Sequence, residues 1–268
     1  VTPEREGGEQ VDALFHRSAL EALELEYPVV AVKFSTAEPA GLPRLNKRIA
    51  LCEMLKEAQE SGAFYASKDE QGCKAGSYVL GQIGHDPGME GGGIGPVIGV
   101  YETAAANARV YTDMIRFAEG ASPYTWFARL DEAGFDPDLL IITARPSQAE
   151  VILRAHGYRS GAAWEARGTT VIGCACLYAY PYLTGKLNIL ISGLHHGMRA
   201  RQLFPEGLLF IAIPAPLIPE VLGNLATMVE KNLIDLPQYH WGKEYHEKHM
   251  REVMESLSRQ ELLGGAEA

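Results

Sequence analysis

The sequence predicts an α/β or α+β protein in which a mixed sheet is covered by helices. Two observations carry this: short apolar and β-branched runs read as strands, and they alternate with segments whose apolar residues recur at helical spacing. A third sets the scale. The chain has 268 residues of which 47% are hydrophobic, enough to bury a sizeable core, and it reads as a single domain with possible sub-lobes of about 1–120 and 121–268.

The elements follow in order. Residues 11–26 carry Leu14, Leu20 and Leu23 at helical spacing and stop at Tyr27-Pro28. Residues 29–34 form a β-branched strand with Lys33 its one charge, and 38–43, with two prolines and a glycine, form a loop. Residues 48–60 read as an amphipathic helix ended by Ser61-Gly62, residues 63–66 as a short strand, and Cys73 opens a helical stretch through about Leu80. Residues 85–95 are a glycine-rich flexible loop. Strands at 97–102, 124–130 and 139–143 enclose helices at 104–119 and 147–156. The second half adds strands at 169–174, 188–192 and 208–213, helices at 217–231 and 241–259, and a frayed tail at 264–268.

Charge narrows the partners. A net charge of -10 leaves no basic footprint for nucleic acid or an anionic membrane, so small molecules or a redox protein are the expected partners. No apolar run is long enough for a membrane span and no export signal shows, which predicts a cytoplasmic protein. An acidic surface with strand edges to cover is compatible with a homo-oligomer.

Four cysteines, Cys52, Cys73, Cys174 and Cys176, are too few for a disulfide scaffold in a chain this long, and with His195 and His196 they form a soft donor set for zinc or an iron-sulfur cluster. Cys52 and Cys73 fall at predicted helix N-termini, where free N–H groups favour thiolate. In an extended strand Cys174 and Cys176 face the same way, as do Tyr178, Tyr180 and Tyr182 along a pocket wall.

The segments Pro28-Val29-Val30-Ala31-Val32-Lys33-Phe34, Cys52 to Gly62 with Phe64-Tyr65-Ala66, Cys73 to Gly81, Pro137-Asp138-Leu139-Leu140-Ile141-Ile142, and Thr184-Gly185 with Gly197-Met198-Arg199 resemble the domain of unknown function 169 family (DUF169) of prokaryotic proteins. The resemblance covers about Pro28 to Pro214 and implies shared fold and shared cysteines, with no activity attached. It implies ligands at Cys52, at Cys73, at Cys176 eight residues before Thr184, and at His195 four residues before Arg199, where the family pattern has cysteine. Imidazole is among the few side chains that replace a thiolate on zinc or on one iron of a cluster. The expectation is therefore an iron-sulfur centre, [4Fe-4S] favoured and zinc or haem the alternatives, with Cys174, His196, Arg199 and Lys33 around it and a redox or ligand-binding role. Two other uses stay open: a binding or regulatory module with a structural metal or none, and an enzyme with a reactive cysteine.

Weaker signals remain. Gly91-Gly92-Gly93-Ile94-Gly95 lacks the lysine and spacing of a phosphate loop and reads as a hinge or a loop passing close to a ligand. Tyr245-His246-Glu247-Lys248-His249 has its histidines three apart rather than the four of a zinc-protease helix, so it reads as a solvated face. Arg145-Pro146 ends a strand where α/β folds often bind ligands.

Overall fold

The computed structural model describes residues 18–192 and 195–264, with side chains through 258. It resolves the fold class to α+β: one six-stranded sheet, antiparallel at every pairing, in the order β2-β3-β1-β4-β6-β5. The strands are β1 (Val30–Ser35), β2 (Phe64–Ala66), β3 (Tyr124–Arg129), β4 (Leu139–Ala144), β5 (Asn188–Ile191) and β6 (Leu209–Pro214). Register places Val32 of β1 opposite Phe127 on one side and Leu139 on the other. The sheet thus draws strands from both sides of residue 120.

Side chains alternate between the two sheet faces. Val30, Val32, Leu139, Ile141, Phe210 and Ala212 join one core cluster with Leu51, Met54, Leu55 and Ala58 of α1 (Leu51–Ser61). Ala31, Leu140 and Ile142 point to the opposite face, where α6 (Pro146–Gly157) packs on β4 and β6, so β4 is buried along its whole length. Other helices are α2 (Lys74–Val79), α3 (Pro87–Glu90), α4 (Ile94–Val97), α5 (Ala104–Asp113), α7 (Tyr180–Thr184), α8 (His196–Ala200), α9 (Ile218–Glu230) and α10 (Lys243–Gly264). Contacts divide the chain into two compact units at Ala226, and the sheet lies wholly in the first. In the second, Trp241 meets the His249 ring edge-on and His240 pairs with Asp235 at 2.9 Å. Among the described residues no helix is long and apolar enough to cross a membrane.

Of the predicted helix 11–26, residues 11–17 lie outside the described residues, and 18–21 are helical. The tail 265–268 also lies outside them. Four expectations need correction. The segment 85–95 is not loop throughout, since α3 and the start of α4 lie in it, with the Asp86 side chain capping α3 by accepting the Met89 N–H. The stretch 97–102 is not a strand: α4 occupies its start, and Ile98, Gly99 and Val100 donate to Ile94, Pro96 and Gly95 carbonyls, leaving no donors for a ladder. The helix predicted over 104–119 stops at Asp113, because Phe117 is drawn into the core and its N–H bonds the Val79 carbonyl. The strand predicted over 169–174 is replaced by a corner and a helix, which reshapes the site described next.

Candidate functional site

Two cysteines are brought together by a bridge between loop segments. Ile49 N–H donates to the Glu70 carbonyl and Gly72 N–H to the Ile49 carbonyl at 2.7 Å, laying residues 49–52 beside 70–73. Only glycine permits this approach, since a Cβ at 72 would stand 2.9 Å from the Ile49 carbonyl carbon. Cys52 therefore enters the first turn of α1 and Cys73 becomes the N-cap of α2, on neighbouring strands of chain.

The third comes from a strained corner. Ile172 holds φ at 46°, a left-handed conformation that a β-branched residue adopts at a cost of about 1–3 kcal/mol. That turn ends the extended chain and starts a helix, so Cys174 is already helical at φ -59°, ψ -27°. The helix continues as a π-turn over Ala175–Ala179, in which Tyr180 N–H bonds the Ala175 carbonyl instead of that of Cys176. Pro181, which lacks an N–H, sits at the next position and favours the wider turn. The freed Cys176 carbonyl accepts from Asn188 Nδ2 at 2.8 Å, and the same buried amide pairs with the backbone N–H and carbonyl of Arg167.

Cys174 and Cys176 are thus on a helix, not a strand, and positions two apart lie roughly 200° around its axis. They face different ways. Cys174 lines a cavity of about 600 Å³ together with Cys52 and Cys73, while Cys176 is fully buried with its Sγ 3.5 Å from Met114 Sδ. For the same reason Tyr178, Tyr180 and Tyr182 do not form one wall: Tyr178 lines the cavity, with its hydroxyl donating to the Leu51 carbonyl at 3.4 Å, and Tyr182 stacks on Phe117.

His195 and His196 also line the cavity. His196 N–H bonds the Thr170 carbonyl at 2.9 Å, which brings His195 over the corner. There the His195 imidazole occupies the space of a missing side chain, because a Cβ on Gly173 would fall 1.2 Å from its Nδ1. The residue is 6% exposed, and among the described residues no hydrogen-bond partner engages its ring. Burial holds its pKa down to about 4, so the ring is neutral. Arg201, the C-cap of α8, adds a guanidinium beside Cys52.

Burial decides the thiol electrostatics. It pushes Cys52 up to about 11 against the pull of Arg201, overriding the helix N-terminus. Cys174 is raised well above the ordinary thiol value by burial and then by Cys73, Cys52 and Cys176. Cys176 is raised to about 11 by burial. Alkylation of Cys52 in metal-free protein should accelerate about tenfold per pH unit between about pH 7 and 10, because the thiolate fraction grows at that rate below the pKa. A plateau near pH 8.5 in mass-resolved labelling would contradict this.

Of the residues expected at the site, Cys52, Cys73, His195 and His196 meet at the cavity, joined by Cys174. Three others do not line it: Cys176 packs in the core, Arg199 pairs with Glu206 at 3.3 Å, and Lys33 donates to the Asp136 carbonyl at 2.9 Å. Of the three tyrosines expected along a wall, Tyr178 lines the cavity; sequence reading missed Arg201, Tyr111 and the seat on Gly173, for which only the Gly-Cys pair at 173–174 gave a signal. The glycine-rich segment 85–95 carries α3 and the start of α4 and lines the cavity through Gly88, Met89 and Ile94, with Ile98 just beyond it. Among the described residues no three His, Cys, Asp or Glu side chains stand close enough to hold one metal ion.

The DUF169 family model, described as "Uncharacterised ArCR", matches residues 20–224, a span that contains every cavity residue named above. The uncharacterized protein MJ0308 of Methanocaldococcus jannaschii is 27% identical over 220 residues, covering 80% of this chain and 91% of that relative. No solved structure matches the chain.

Proposed function

The chain belongs to the DUF169 family, whose description names no activity, and from the chemistry of the cavity we propose that it holds an iron-sulfur cluster on Cys52, Cys73 and Cys174 with His195 at the fourth corner. The observation that carries this reading is the convergence of three thiols, from three separate segments, and a buried neutral imidazole on one largely apolar cavity. Burial makes Cys52 and Cys174 costly to ionise in isolation and holds the His195 ring neutral. A cationic centre offsets that cost by taking thiolates and a neutral imidazole as ligands.

The spacing favours a cluster over a single ion. Zinc binds thiolate at ~2.3 Å, which requires sulfurs about 3.8 Å apart, and no such trio occurs among the described residues. A [4Fe-4S] cluster takes each ligand on a different iron and tolerates a wider set. Neutral imidazole at one corner, in place of thiolate, raises the potential of such a centre and suits it to electron transfer or to ligand exchange at that iron. The elevated Cys52 and Cys174 pKa values weigh against a resting thiolate nucleophile.

Anaerobic purification, with iron and acid-labile sulfide assayed before and after reconstitution, tests the reading. About four of each per chain, lost in Cys73→Ser, is the expected result. Protein free of both after reconstitution would overturn it.

A further inference from the structure

The cavity is larger than its sulfur donors require, and one cation in it is incompletely used. Arg201 Nε stands 3.3 Å from Glu53 Oε2, and its Nη1 donates to the Gly197 carbonyl at 3.0 Å. Among the described residues Nη2 has no partner. Glu53 is itself fixed, because its Oε2 accepts the Ala50 N–H at 2.7 Å, and it is not part of the cavity wall that Arg201 lines. No carboxylate lines the cavity among the described residues: Glu53 and Asp86, which pair with Arg201 and Lys74, both lie outside its wall. Most of that wall is apolar, with Met89, Ile94, Ile98, Val171 and Met198 contributing.

We infer that this cavity binds a small organic carboxylate with an apolar body, its carboxyl group on Arg201 and its carbon skeleton against the Ile94 and Ile98 wall. A volume of about 600 Å³ lies within the range of small-molecule sites, which is about 300–1,000 Å³. A guanidinium edge presents parallel N–H donors that match a carboxylate. A phosphate dianion is a poorer match, because the other lysine or arginine on the wall, Lys74, is held by Asp86 at 2.5 Å, a closer pairing than the 3.3 Å between Arg201 and Glu53. The inference rests on the proposed function only for the location of the site, since Arg201 and the apolar wall are distinct from the four donors.

The competing use of Arg201 is to neutralise sulfur-centred charge beside Cys52, and ligand discrimination separates the two. Acetate, benzoate, phenylacetate and octanoate, each beside its neutral amide, are titrated into the reconstituted wild-type protein and followed by ligand-observed NMR. At least one of the larger acids should bind about tenfold tighter than its amide, the increment expected of a charge-assisted hydrogen bond. Arg201→Met should abolish that preference, Arg201→Lys, which keeps the charge but not the fork, should retain part of it, and Ile98→Trp should weaken acid and amide alike with the cation in place. Acids that bind no better than amides, or a preference that survives Arg201→Met, would overturn the inference. Iron and sulfide measured on the same samples report on the cluster separately: acid preference without a cluster removes the proposed function alone, and a cluster without acid preference removes this inference alone.

Discussion

Replacing Gly173 by alanine is expected to expel His195 from the cavity. The new Cβ would lie 1.2 Å from Nδ1 and 1.3 Å from Cε1 of the imidazole, so ring and methyl group cannot share the site. The effect is one of displacement rather than backbone strain, because Gly173 does not occupy the left-handed region. Histidine titration by NMR reads it directly in metal-free protein. In the wild type, burial holds His195 at about 4; released toward solvent, it should titrate near the ordinary ~6.5.

Stability should move with it. Between about pH 6.5 and pH 4 the unfolded wild type binds a proton at residue 195 that the folded form refuses, so stability rises with pH through this window. The contribution is complete above about pH 6.5 and is lost as pH falls to about 4, on the order of 3 kcal/mol in all. Gly173→Ala should lose less stability over the same interval while starting lower, by about 1–3 kcal/mol, from overpacking. An unchanged histidine titration in the variant would show that His195 does not depend on the glycine seat.

The seat illustrates which parts of the site were legible in the sequence. Cys52 and Cys73 were placed at helix starts by local signals, the amphipathic run after one and the loop before the other, and both positions hold in the structure. Strands at 29–34, 139–143 and 208–213 were legible because their apolar runs are buried on both faces or alternate cleanly. The 169–174 segment misled for a physical reason. Thr169, Thr170, Val171 and Ile172 have strong strand propensity, yet Ile172 sits at positive φ and the next residues turn helical. Nothing local announces that strain; it is held by the Asn188 amide on Cys176 and Arg167 and by His196 on Thr170, contacts that reach across 12 to 26 residues. Where tertiary contacts override propensity, a functional site is a common cause.

That corner also separates two cysteines that the sequence pairs, and serine substitution should treat them differently. Cys174→Ser removes a thiol that faces the cavity with Cys52 and Cys73, and the reconstituted protein should lose most of its iron and sulfide. Cys176→Ser should keep both. Its cost falls on the core, where the new hydroxyl would replace a fully buried thiol against Met114 and the main-chain helix around it, at about 1–3 kcal/mol by denaturant unfolding. The family resemblance implies the reverse assignment, with Cys176 as ligand, so the two variants discriminate between spacing and geometry. If Cys176→Ser strips the centre while Cys174→Ser retains it, the ligand set is Cys52, Cys73, Cys176 and His195, and the turn after Ile172 must rotate to present Cys176 when the cluster is bound. If Cys174→Ser alone strips it, the strained corner has its explanation: it aims the third thiol.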